Sequence, residues 1–111
     1  MLDDLDDSAL DELPFGVVCL NESMTVVRMN RTESEKSGIQ RWRAIGRDFF
    51  GDVAPGPTNR ALAEQIRAFS MGRGPKAIEH TFKRYRSEDP TKIELVRGRS
   101  TGRLYLCIHR E

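Results

Sequence analysis

An α+β domain, with a five-stranded antiparallel sheet and helices on one face, follows from two observations. Five short stretches are β-branched or alternate apolar with polar: Phe15–Leu20, Thr25–Asn30, Ile78–Tyr85, Lys92–Arg97 and Leu104–His109. Between the second and third lie only helical patterns, so two strands, a helical block and three strands close into one sheet without a crossing connection. The chain has 111 residues, 38% of them hydrophobic, which supplies one core and no second domain.

Residues 1–13 read as a short acidic cap helix and 14–111 as the domain proper. Leu2, Leu5, Ala9, Leu10 and Leu13 form one apolar stripe at helical spacing, and Pro14 ends it. Ser8, with Asp11 three residues on, is the expected N-cap. The strands Phe15–Leu20 and Thr25–Asn30 flank Asn21-Glu-Ser and pair as a hairpin. Residues 31–46 turn helical and polar, and Gly38 divides them into two short pieces. Ala54-Pro-Gly-Pro57 is a rigid turn. A longer helix runs from about Thr58 to Met71, with Leu62, Ile66 and Phe69 inward and Gly72-Arg-Gly-Pro75 as its stop. Gly98–Gly102 turns the chain between the last two strands.

Composition excludes several classes. No apolar run approaches the length of a membrane span, and the opening Met-Leu-Asp-Asp-Leu-Asp-Asp is no secretory signal. The expected location is a reducing cytoplasm, because two cysteines 88 positions apart fit neither a zinc nor a redox spacing. Net charge is +1, yet residues 1–13 hold six acids and no base. The tail is therefore −6 and the remainder +7, so the tail either folds back or meets a partner. Lysines and arginines are scattered rather than massed, which speaks against nucleic acid. His80 and His109 have no second ligand at a fixed offset, so no metal or haem is expected. Neither a nucleophile elbow nor a phosphate loop occurs, and no enzyme is expected.

The element order resembles the plan of a PAS domain. The likeness sharpens over Leu10-Asp-Glu-Leu-Pro-Phe-Gly-Val-Val-Cys-Leu20 and over Ile45-Gly-Arg-Asp-Phe-Phe-Gly-Asp-Val-Ala-Pro55. The G-x-x-F-F-x-D-V-A-P run is similar to the segment that leads, in photoactive yellow proteins, to the chromophore cysteine. Glu79-His-Thr-Phe82 and Pro90-Thr-Lys92 resemble that family too. In the family a cysteine follows Val-Ala-Pro and holds a p-coumaroyl group as a thioester; here Gly56 stands there. The family's phenolate-binding tyrosine matches Met29, its glutamate Glu33, its threonine Ser37, and its mouth arginine Ile39. The resemblance thus implies a photoreceptor scaffold that carries no covalent chromophore.

Two faces of this scaffold are candidates for function. Met29, Glu33, Ser37, Phe49, Val53, Gly56 and Phe82 make a ligand pocket, or else an ordinary filled core. Glu33 is either a buried carboxyl facing a ligand or a plain helix glutamate. On the far face, strand alternation groups Phe15, Val17, Cys19, Tyr105 and Cys107. With Leu5 and Leu10 they make an interaction face, covered by the short N-terminus or by another chain. The primary expectation is a signalling or regulatory module acting by protein–protein contact, including a homodimer. The alternative is a sensor that reversibly binds a small molecule in the pocket. A cavity would favour the sensor; a filled core with an open apolar face would favour the interaction module.

Overall fold

The computed structural model describes residues 2–84 and 87–110. Tyr85, the last residue of the predicted third strand, lies outside them. The elements are α1 (Asp7–Asp11), β1 (Gly16–Leu20), β2 (Val26–Met29), α2 (Arg31–Ser37), α3 (Arg41–Ala44), α4 (Arg60–Ser70), β3 (Ala77–Arg84), β4 (Ser87–Arg97) and β5 (Leu104–Arg110). Single turns of tighter or wider helix lie at Leu2–Asp4, Phe49–Val53 and Pro57–Asn59. The strands form one antiparallel sheet in the order β2-β1-β5-β4-β3. The predicted fold class stands.

Register sorts the side chains into two layers. Val18 faces Leu106 and Leu20 faces Leu104 across the β1–β5 pair. These residues pack with Leu62 and Ile66 of α4, with Phe49 and with Ile93 in the main core. Val17 sits opposite Cys107 and Cys19 opposite Tyr105, on the other face. Each fully buried Leu, Ile or Val there contributes about 1.5–3 kcal/mol, and α4 supplies two of them on one helical stripe.

Two local details depart from expectation. Ser8 lies inside α1, and the cap is Asp6, whose carboxylate accepts the Ala9 amide at 2.8 Å. Asp6 precedes the first helical residue, so its extended backbone aims the side chain at the open N–H groups. β4 begins five residues before the predicted Lys92. Pro90 hid that extension, since proline breaks most strands. Here it pairs only with Thr81 of β3, and β5 contacts begin one residue later at Thr91, so its missing N–H costs no ladder bond on the β5 side. Gly38 does end α2, in the left-handed conformation at φ +75°.

Candidate functional site

The end of β2 and the start of α2 build one wall of the site. Asn30, fully buried, makes four hydrogen bonds there. Its Oδ1 accepts the Val17 and Glu33 amides at 2.9 and 3.0 Å, and its Nδ2 donates to the carbonyls of Leu10 and Phe15 at 2.9 and 3.0 Å. One side chain thus caps α2 and pins it to β1 and the N-terminal segment. The helix then presents Glu33 and Ser37, four residues apart, on its buried side. The opposite wall is the Phe49–Val53 turn, and Phe82 of β3 closes the third side.

Between these walls lies a cavity of about 200 Å³. Met29, Glu33, Ser37, Phe49, Val53 and Phe82 line it, six of the seven residues that the sequence grouped as either a ligand pocket or a filled core. Gly56 does not. It is exposed on the outer side of the loop at φ +115°, and a Cβ built on it would meet nothing within 4 Å. Sequence reasoning missed Asn59, which also lines the cavity. Its Nδ2 donates to the Ala54 carbonyl at 2.9 Å, while its Oδ1 faces His80 Nε2 at 2.8 Å. That geometry makes His80 the donor, and burial pushes its pKa down, in keeping with a neutral ring. The ring also packs edge-on against Phe82, with centroids 4.7 Å apart. A polar residue closing a Pro-Gly-Pro turn was the available sign of Asn59.

The pocket carboxylate has a partner that the sequence did not reveal. Arg110, at the end of β5, donates to both oxygens of Glu33 at 2.6 and 3.0 Å and to Asp89 at 2.7 Å. Burial opposes a charged guanidinium, but the hydrogen bonds and charges of Glu33 and Asp89 outweigh it and keep Arg110 protonated. The pair spans 77 positions, so no local pattern announces it. Glu33 also crowds Gly16, where a Cβ would collide with its Oε1.

The far face of the sheet is covered by the chain's own N-terminus. Leu10, Val17, Cys19 and Tyr105 are buried together, flanked by Leu2, Leu5, Leu13 and Phe15; Cys107 is buried beside them. Of the two covers expected for this face, the chain's own N-terminus is the one in place. Only Leu10 of the four leucines is fully buried, and polar contacts do the rest. Tyr105 and Thr101 donate to Asp3, as do the amides of Ser100 and Thr101. Arg28 donates to the Leu5 carbonyl at 2.6 Å and to Asp7 at 3.2 Å. Arg41 pairs with Asp11 and Arg31 with Glu12. The −6 tail therefore folds back on the +7 body. Both cysteines are free and lie on this face, away from the pocket. Among the described residues no group of three His, Cys, Asp or Glu is placed to hold a metal, and no helix is long and apolar enough to cross a membrane.

A family model described as the PAS fold matches residues 10–110. The chain belongs to the PAS family. A photoactive yellow protein of Rhodothalassium salexigens is 31% identical to this PAS domain over 104 residues, covering 92% of the chain and 82% of the relative. The photoactive yellow protein domain of the sensor histidine kinase Ppr from Rhodospirillum centenum superposes with a TM-score of 0.84 at 27% identity. That match covers 96% of this PAS domain and 95% of the other. The PAS domain of the Cronobacter turicensis quorum-sensing receptor RpfR, solved in complex with BDSF, shares the fold at a TM-score of 0.72 and 16% identity. It covers 89% of this chain and 95% of its own. The family is one of sensory and signalling modules.

Proposed function

We propose that this PAS domain is a signalling sensor that reads a small molecule held reversibly in its pocket, without a covalent p-coumaroyl group. The observation that carries the reading is a cavity of about 200 Å³ rather than a filled core, lined by six of the seven residues named from sequence. The residues do not fit a thioester-linked chromophore. Gly56 offers no thiol and does not face the cavity. Met29 offers a thioether where a phenolate needs a donor. Cys19 and Cys107 lie across the sheet, behind the main core.

Contact with another protein through the outer face is the second reading. It is favoured by the way the cover is fastened, with one fully buried leucine and a set of polar links, several of them exposed. A partner on that face, or a second copy, gains access once the N-terminal segment lifts. Gentle purification followed by native mass spectrometry tests the first reading, with a non-covalent mass that disappears on denaturation as the expected result. A covalent adduct with activated p-coumaric acid, accompanied by a visible band and a photocycle, would sink it.

A further inference from the structure

We infer that the pocket takes a small uncharged molecule bearing one hydrogen-bond acceptor, rather than an ion. The inference rests on the sensor reading and narrows it. The pocket's own carboxylate is already matched, since Arg110 holds both oxygens of Glu33 and the two side chains are only 12% and 7% exposed. A cationic ligand would have to displace that guanidinium and strand it in a buried position, which costs more than the new contact returns.

An anion fares no better. Lys83 is the one cation among the lining residues. Strand alternation turns it with Glu79 and Thr81 to the face opposite His80 and Phe82, and it is exposed. A carboxylate or phenolate entering the cavity would lose water and meet no counter-charge but that exposed, water-screened ammonium.

What remains is apolar, from Met29, Phe49, Val53 and Phe82, apart from a single donor. Ser37 is 8% exposed, and its Oγ accepts the Ile39 amide at 3.2 Å. The hydroxyl's own hydrogen finds no acceptor among the described residues. A ligand carbonyl or ether oxygen at that point completes it, whereas Asn59 has both ends of its amide engaged. The volume fits one substituted ring or a short branched chain, since an apolar cavity of about 150 Å³ holds benzene.

The test titrates the full chain, isotopically labelled, with matched probes and follows the amides of Met29, Ser37, Phe49, Val53 and Phe82. The probes are acetophenone (neutral, with an acceptor), ethylbenzene (neutral, without one), benzoate and benzylammonium. Acetophenone is expected to bind about tenfold tighter than either ion. Ser37→Ala is expected to weaken acetophenone about fivefold and to leave ethylbenzene unchanged, which also shows that the variant is folded. Equal or tighter binding of an ion at the same amides overturns the inference while leaving the sensor reading intact. An unchanged acetophenone-to-ethylbenzene ratio in the variant overturns the role of Ser37. If no probe moves these amides, the sensor reading itself falls, and the inference with it.

Discussion

Asp3 and Tyr105 are 102 positions apart in the chain, and the tyrosine hydroxyl donates to the aspartate at 2.8 Å. Burial opposes the charged carboxylate, but the hydrogen bonds from Tyr105, Ser100 and Thr101 hold its pKa below the usual 3.8. A lowered carboxyl stabilises the fold fully above its unfolded value and loses that contribution as pH falls through the folded one. The N-terminal cover should therefore loosen below about pH 4. Amide shifts of Ser100 and Thr101 followed through acid titration measure it, and Asp3→Asn should show the loosened pattern already at neutral pH.

Burial raises the pKa of both thiols, and that of Cys107, with Glu94 nearby, reaches about 11. Neither is a ready thiolate at neutral pH. Cys19 pairs with Tyr105 and Cys107 with Val17, so the two cysteines are diagonal neighbours, at about 7–8 Å and beyond the reach of a disulfide. Two free thiols that label slowly in the native protein and quickly in denaturant are expected. Removing residues 1–13 should speed labelling of Cys19.

Arg110→Ala leaves Glu33 buried without its bidentate partner and should destabilise the domain by about 3–5 kcal/mol. A double variant, Glu33→Gln with Arg110→Met, should cost less than Arg110→Ala alone. Denaturant midpoints of the two variants decide this. A double variant as unstable as the single one would mean that the pair's charge is not the issue.

Gly56→Ala isolates a backbone effect, because space around a Cβ is open while φ is +115°. The expected loss is about 1–2 kcal/mol, with the cavity unaltered. Gly56→Cys would carry the same strain.

With its outer face covered, the intact chain should sediment as a monomer at micromolar concentration. The form starting at Pro14 exposes Val17, Cys19 and Tyr105 and should self-associate. Because the ion pairs fastening the cover are partly exposed, raised salt should loosen it only slightly. A dimer of the intact chain would show that the cover is not a sufficient barrier.

The strands, the split at Gly38 and the long helix were legible in the sequence because each is written in local periodicity. Six pocket residues were legible through the Gly46–Pro55 run and the family likeness. Arg110 was not, since an ion pair between residues 33 and 110 leaves no spacing to read. Asn30 carried a signal that went unused, a capping residue with Glu33 three positions on. Whether the leucine stripe would cover its own sheet or another copy depended on hydrogen bonds that Asp3 accepts and Arg28 donates, which no hydrophobic pattern encodes. Gly56 was assigned to the pocket through the family likeness alone; the position is exposed and off the cavity lining.

The strand order also has a bearing on synthesis. β1 occupies the interior of the sheet, yet one of its two neighbours is the last strand to be made. While the chain emerges from the ribosome, the inner edge of β1 has no partner until residues 104–110 appear, and Glu33 waits equally long for Arg110. The stretch from Leu10 to Glu33 can organise early around Asn30, through contacts close in sequence. Closure of the sheet, by contrast, is a long-range event that comes last and is slow for that reason. Until then Val17, Val18, Cys19 and Leu20 form an uncapped apolar strand, the point at which a nascent chain is most exposed to mispairing.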